Sequence, residues 1–302
     1  MSESLLVPVS GPSEGQRGPV CGDLVHGRHR LIPIQPNGSR PPLFWIPGGF
    51  GSVNMSKLRE LANRLGPDQP MYGLGTPPAL STADIEPASE RAAAYVALIR
   101  QLQPSGPYFL VGFCLGGTLA FEAAQQLRAQ NQQVAFLGLL NAWVPIYRIS
   151  AWQWSRILLQ RGRYQLRGAM ASGTRIGLRY AMGRFGAVRK LATRARELGQ
   201  TPTGSECDGS AGRLLWATIR IWGRYVPQPF PGKVHLFLSN EADLAGVSRR
   251  VDPRRGWARV CSDHEVIELK GEHVQMLEPP LLDNFAALLA KSLDEAQLQA
   301  AA

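Results

Sequence analysis

The stretch that most constrains this chain is Tyr108-Phe109-Leu110-Val111-Gly112-Phe113-Cys114-Leu115-Gly116-Gly117. Four apolar residues form a buried strand, a glycine-bounded turn follows, and a helical run starts at Thr118 and carries on through Leu127. Strand, sharp turn and helix in that order make a nucleophile elbow, here with the pattern G-x-C-x-G-G where G-x-S-x-G is usual. The turn leaves no room for a Cβ beside the nucleophile, and Gly116 and Gly117 let the helix close on the strand. Such a turn lifts the Cys114 side chain above the sheet. It also leaves the Leu115 N–H at a helix N-terminus, where it can bind a developing oxyanion. A buried structural cysteine beside a tight turn is the competing reading of the same string, and the rest of the chain bears on the choice.

Around the elbow, strands and helices alternate. Residues 1 to about 28 are rich in Gly, Pro and Ser without periodicity and read as a mobile leader, followed by one domain over 29–302. Leu31–Ile34 and Leu43–Ile46 flank the turn Pro36-Asn37-Gly38-Ser39, which predicts a hairpin. Pro47-Gly48-Gly49-Phe50-Gly51 is a glycine-rich loop straight after a strand. No Lys-Ser/Thr follows it, which argues against a Walker phosphate site. The Gly49 N–H is the candidate second oxyanion donor, facing Leu115; a tight turn with no further role is the plain alternative. Met55–Leu65 and Pro87–Leu102 have helical spacing, while Pro70–Leu74 and Val134–Leu140 read as strands, the latter ending at Asn141. The alternation predicts an α/β fold with a mostly parallel, doubly wound sheet. From about 145 to 226 no strand is legible, and the chain reads as an all-helical insertion. The sheet resumes at Lys233–Leu238 and Val266–Leu269, then Lys270-Gly271-Glu272-His273 enters a loop before a last helix from about Pro280 to Leu293.

Composition narrows the setting. With 44% apolar and 19% charged residues among 302, the chain can bury a sizeable core and is not a disordered polymer. No run approaches the ~18 apolar residues that span a bilayer, and the first residues lack the basic start and apolar core of a signal peptide. Cys21, Cys114, Cys207 and Cys261 form neither a CxxC metal pair nor a dense disulfide pattern. A cytoplasmic, reducing location is expected, where a thiol at Cys114 persists, with no metal site. The net charge of +10 points to nucleic acid, an anionic membrane or an acidic protein as partner, with a solvated basic face as the plain reading. It concentrates in the insertion: between Tyr147 and Leu198, twelve Lys or Arg stand against one acid, Glu197.

Several motifs in order now resemble a known family. They are Pro41-Pro42-Leu43-Phe44-Trp45-Ile46-Pro47-Gly48-Gly49, then Gly106-Pro107-Tyr108 leading into the elbow and the helix Thr118–Leu127. Tyr225-Val226-Pro227-Gln228-Pro229-Phe230-Pro231-Gly232 and Gly271-Glu272-His273 complete the set. From Leu31 to Leu293 the chain resembles the thioesterase domains of non-ribosomal peptide and polyketide synthases. That resemblance implies an α/β-hydrolase with a helical lid at about 145–226, and His273 as the base after the last strand. It also implies a substrate held on the phosphopantetheine of a carrier protein, with no cofactor on the domain itself. The sequence departs from the family twice. Cys114 stands where most members have Ser, and Asn141 stands where many carry the triad aspartate. Asp243, just after the next strand, is the rival third member, with a solvated loop carboxylate as its plain reading.

A thiolate is the better nucleophile near neutral pH, and an adjacent imidazole lowers a thiol pKa by ion pairing. A Cys–His pair depends less on a charged third member than Ser–His does, and an amide can orient the imidazole. Cys114 and Asn141 are therefore a self-consistent pair of departures. The expected function is a cysteine-dependent thioesterase or acyltransferase that moves an acyl or peptidyl chain from a carrier thioester to an amine, hydroxyl, thiol or water. The leader lacks an attached-carrier motif, so an acidic carrier acting in trans is expected to meet the basic lid. A free-standing editing hydrolase and a non-catalytic carrier-binding scaffold are the alternatives. No nucleic-acid motif is present to favour that class of partner.

Overall fold

The computed structural model describes residues 24–48, 55–76, 85–142, 144, 217, 221–222, 224–239, 256–271 and 276–301. Within them, eight strands form one sheet: β1 (Leu24–His26), β2 (His29–Gln35), β3 (Leu43–Ile46), β4 (Met71–Gly75), β5 (Tyr108–Phe113), β6 (Val134–Leu140), β7 (Val234–Ser239) and β8 (His264–Leu269). Four helices flank it: α1 (Met55–Leu65), α2 (Ala88–Leu102), α3 (Gly116–Ala129) and α4 (Leu281–Ala301). The order across the sheet is β1-β2-β4-β3-β5-β6-β7-β8. The pairs β1/β2 and β2/β4 are antiparallel, and every later neighbour pair is parallel.

The central strands are apolar at every position because both of their faces are covered. Successive side chains point to opposite faces of a strand. Phe44, Ile46 and Leu110 therefore join the core with α2 and α3, while Leu43, Trp45, Phe109 and Val111 join the core with α1 and α4. Helices on both faces of a mostly parallel sheet make the doubly wound architecture that the alternation predicts. The last helix extends beyond Leu293 to Ala301, with Leu282, Phe285, Leu289, Leu293 and Ala296 buried at helical spacing. No described helix is long and apolar enough to cross a membrane.

The hairpin expected of β2 and β3 does not form. β4 lies between them, antiparallel to β2 and parallel to β3. The turn docks on the loop before β4 instead: the Ser39 N–H and Oγ donate to the two carboxylate oxygens of Asp68 at 2.7 and 3.0 Å. β3 thereby pairs along both edges, with β4 and β5, while the helices on the two faces bury all four of its side chains. A short strand, β1, lies inside the stretch read as leader, joined to β2 through Gly27 in the left-handed region (φ 59). Residues 1–23 and most of the insertion lie outside the described residues.

Where the chain returns from the insertion, Trp222 donates Nε1–H to the Glu86 carbonyl at 3.0 Å, and the Arg91 guanidinium lies 5.2 Å from its ring centre. The Glu86 carboxylate faces Arg91 Nε at 3.3 Å and His29 Nε2 at 3.2 Å. His29 Nδ1 meets Thr76 Oγ1 at 2.8 Å, and that hydroxyl meets the Tyr95 hydroxyl at 2.8 Å. This buried network ties β2, α2 and the root of the insertion together.

A second buried histidine carries a pH dependence. His235 in β7 stacks on Phe136 with ring centres 4.7 Å apart and is 4% exposed. Burial, reinforced by the Lys233 charge and opposed by Glu265, lowers its pKa to about 4 from an ordinary 6.5. The unfolded chain therefore binds the proton first, so stability is full above pH 6.5 and falls as pH drops toward 4. The expected loss is about 3 kcal/mol across that window. In urea unfolding between pH 7 and 4, His235→Phe, which keeps the ring stack, should fall less steeply than the native protein.

Candidate active site

The carboxyl ends of β3, β5, β6 and β7 lie side by side, and in open α/β sheets ligands bind at that edge. Cys114 follows β5 directly, in the left-handed region at φ 55. That backbone is uncommon for a residue with a Cβ, and it persists only where the surroundings over-determine it. Here they do. The Cys114 N–H donates to the Leu140 carbonyl at 2.9 Å, which anchors the turn to the end of β6. The Gly117 N–H returns to the Cys114 carbonyl at 3.0 Å, and Thr118 to Leu115 at 3.2 Å, closing the first turn of α3. Gly116 makes the fit possible: a Cβ there would run into the Pro47 and Ile46 carbonyl oxygens. The helix consequently begins at Gly116, two residues before Thr118, with Leu115 as its cap. The first N–H groups of an α-helix have no intrahelical acceptor, and the helix dipole adds positive character there. Leu115, the cap residue directly after Cys114, lies at that end of the helix.

The loop after β3 reaches the same point. A Cβ on Gly48 would lie 2.7 Å from the Phe113 carbonyl oxygen and 2.8 Å from the Cys114 Cβ. The glycine-rich loop therefore begins in contact with the elbow, and only a residue without a side chain allows that approach.

Asn141 follows β6 directly and repeats the left-handed backbone, at φ 48. It is 1% exposed. Its N–H donates to the Phe237 carbonyl at 2.8 Å, and its Oδ1 accepts the Ser239 N–H at 2.8 Å. Its Nδ2 has no hydrogen-bond partner among the described residues. Just beyond, Trp257 Nε1–H donates to the Ala142 carbonyl at 3.0 Å and packs on Phe121, 4.9 Å between ring centres. This pins the strand end onto α3.

Of the residues singled out in the sequence, Cys114, Leu115 and Asn141 are brought together. Gly49, Asp243 and His273 lie outside the described residues. Sequence reasoning passed over Gly48 as a contact of Cys114 and Ser239 as the partner of Asn141. The available signal for Ser239 was a small polar residue ending an otherwise apolar strand.

A thioesterase-domain family model matches residues 41–293. The chain belongs to the thioesterase-domain family. It is 28% identical to enterobactin synthase component F of Escherichia coli strain K12 over 276 residues, covering 89% of this chain and 19% of that protein. It is 24% identical to chondramide synthase cmdD of Chondromyces crocatus over 297 residues, covering 89% of this chain and 7% of that one. The chain thus spans a fifth or less of the length of these relatives. Among solved structures it is similar in fold to the NocB thioesterase domain in covalent complex with a fluorophosphonate nocardicin G analog. That likeness has a TM-score of 0.56 and 21% identity, over 87% of this chain and 99% of that one. A four-domain non-ribosomal peptide synthetase, holo-AB3403, matches with a TM-score of 0.57 at 19% identity, over 86% of this chain and 20% of that one.

Two cysteines of this thioesterase domain have opposite surroundings. Cys114 is half-buried at the elbow, whereas Cys261 is 1% exposed and burial pushes its thiol pKa up to about 12. Brief iodoacetamide treatment of the folded protein should modify Cys114 and spare Cys261, as read by peptide mapping. Gly48→Ala should destabilise the domain by about 1–3 kcal/mol through overpacking. It should also slow alkylation of Cys114; native stability and an unchanged rate would contradict the contact described.

Proposed function

We propose that this thioesterase domain takes an acyl or peptidyl chain from the phosphopantetheine thioester of an acidic carrier protein onto Cys114. It then releases or transfers the chain in polyketide or non-ribosomal peptide biosynthesis. The observation that carries the reading is the Cys114 elbow: a left-handed thiol residue at the N-terminus of α3, at the carboxyl edge of the sheet. A relative named as a non-reducing polyketide synthase, 34% identical over 145 residues, supports the substrate class.

In this reading His273 takes the Cys114 thiol proton and the thiolate attacks the thioester carbonyl carbon. The Leu115 and Gly49 N–H groups bind the oxyanion. Collapse breaks the carbon–sulfur bond to pantetheine, whose thiolate leaves with the proton from His273. The acyl group now sits on Cys114 as a second thioester. Exchange between thioesters is nearly isoenergetic, so the intermediate keeps its acyl-transfer potential, which favours capture by an amine, hydroxyl or carrier thiol as well as water. The acceptor gives its proton to His273, and Cys114 leaves as the thiolate and is reprotonated. The third member, Asn141 or Asp243, holds the imidazole.

Intact-mass spectrometry after incubation with a simple acyl thioester tests the covalent step. A gain of one acyl group on the native protein, lost in Cys114→Ala, is the expected result. Candidate amines, alcohols and thiols then show which discharges it. No gain across several chain lengths, with Cys114 inert to iodoacetamide, would instead favour a carrier-binding scaffold.

A further inference from the structure

Only one placement of protons satisfies every member of the buried network at the root of the insertion. A carboxylate accepts and does not donate, so the His29 Nε2 that faces Glu86 at 3.2 Å carries a proton. The other nitrogen of a neutral imidazole is then bare, and Nδ1 accepts from the Thr76 hydroxyl at 2.8 Å. The Thr76 oxygen, its own proton committed, accepts from the Tyr95 hydroxyl at 2.8 Å. Each choice forces the next, so the partners fix the hydrogen positions. The bonds run one way, from Tyr95 to Thr76 to His29 to Glu86.

A second proton on His29 reverses that direction. Nδ1–H then donates to the Thr76 oxygen, the Thr76 hydroxyl turns to Tyr95, and the Tyr95 proton loses its acceptor. Tyr95 is 0% exposed, and no other acceptor faces its hydroxyl among the described residues. A buried donor left in that state is costly. Charge is redistributed as well. Glu86 Oε2 serves both His29 and Arg91 Nε, so an imidazolium competes with the guanidinium for one oxygen. The same Arg91 lies against the Trp222 ring, and the Glu86 carbonyl takes the Trp222 Nε1–H.

The groups acting on His29 come from every element around it. They are Glu86 before α2, Arg91 and Tyr95 on α2, Arg28 in the turn between β1 and β2, and His26 on β1. Burial lowers the His29 pKa from an ordinary 6.5, Glu86 opposes this, and Arg91, Arg28 and His26 add to it. The neutral imidazole is the form that this set of neighbours favours.

We propose that His29 is a pH-sensitive latch. Neutral, it links Tyr95 and Thr76 to Glu86 and keeps Trp222 anchored; protonated, it turns the relay round and loosens that anchor. The latch couples β2, the end of β4 and α2 to the point where the chain returns from the insertion. It operates whichever residue carries the reaction.

The test uses the full chain, labelled with 15N. Long-range 1H–15N NMR reads the histidine ring nitrogens, and a correlation spectrum reads the tryptophan indole N–H groups. His29 is assigned through its edge-on contact with the Tyr95 ring, 5.5 Å between centres, and Trp222 through loss of its signal in Trp222→Phe. At pH 8 a bare Nδ1 and a protonated Nε2 are expected on His29; a protonated Nδ1 there would overturn the proposal. As the pH falls to 4, the Trp222 signal should shift with the same midpoint as the His29 ring. It should stay fixed in His29→Gln, whose amide can donate to Glu86 and accept from Thr76 without titrating. A Trp222 signal that ignores His29, or that shifts equally in His29→Gln, refutes the coupling. His235 is present in both proteins and does not distinguish them. Should the native chain unfold before His29 titrates, the acid midpoint of unfolding decides. His29 takes up its proton on unfolding and glutamine does not, so His29→Gln should unfold at lower pH, an equal midpoint being the refutation. If His29→Gln does not fold, the tautomer and the shared midpoint in the native protein decide alone.

Discussion

The left-handed backbone of Cys114 is the constraint on which the rest of the site depends. Holding a residue with a Cβ at φ 55 costs about 1–3 kcal/mol, which neighbouring structure must offset. The offset comes from both flanking strands at once. β6 supplies the Leu140 carbonyl that fixes the Cys114 N–H, and β3 supplies the Ile46–Gly48 segment that packs on Gly116 and on Cys114 itself. A sheet with β5 anywhere but between β3 and β6 could not do both. The topology, the glycines and the thiol's position are consequently one problem with one solution.

Two cysteines in one domain show how far environment sets chemistry. Cys261 sits in an apolar core with Phe230 and Trp257, where a thiolate would have no solvation, and its pKa rises accordingly. Cys114 stands half-buried at a helix N-terminus, where partial positive charge favours an anion. Burial sets the chemistry of two histidines as well. His235 and His29 are buried, with pKa values below the ordinary one, because desolvation outweighs the pull of Glu265 and Glu86. Both pack on aromatic rings beside the sheet, His235 on Phe136 and His29 on Tyr95.

Much of the fold was legible because its signals are local. Full apolar runs mark β3, β5 and β6, and helical periodicity marks α1 and α2 within a residue or two. The errors are instructive in the same terms. Two apolar runs around Pro36-Asn37-Gly38-Ser39 look like a hairpin, since a turn reports only that the chain reverses. Which strand then fills the gap depends on β4, some thirty residues further on, and on Asp68 capturing Ser39. β1 escaped notice because three residues of mixed burial carry no periodic signal. The network of His29, Thr76, Glu86, Arg91, Tyr95 and Trp222 is spread over almost two hundred residues, and no spacing rule connects its members.

By itself the sequence determined the class of fold and the elbow with Cys114 at its turn. These follow from short-range rules: what a tight turn tolerates, and which residues alternate or recur. Only the tertiary structure decided that Gly48 packs against Cys114, that β4 separates β2 from β3, and that the Asn141 oxygen is taken by Ser239. Each of those facts joins residues far apart in the chain through contacts a few ångströms long. Residue type and spacing constrain what a side chain can do, but the direction in which an amide points is settled by the partner that folding brings to it.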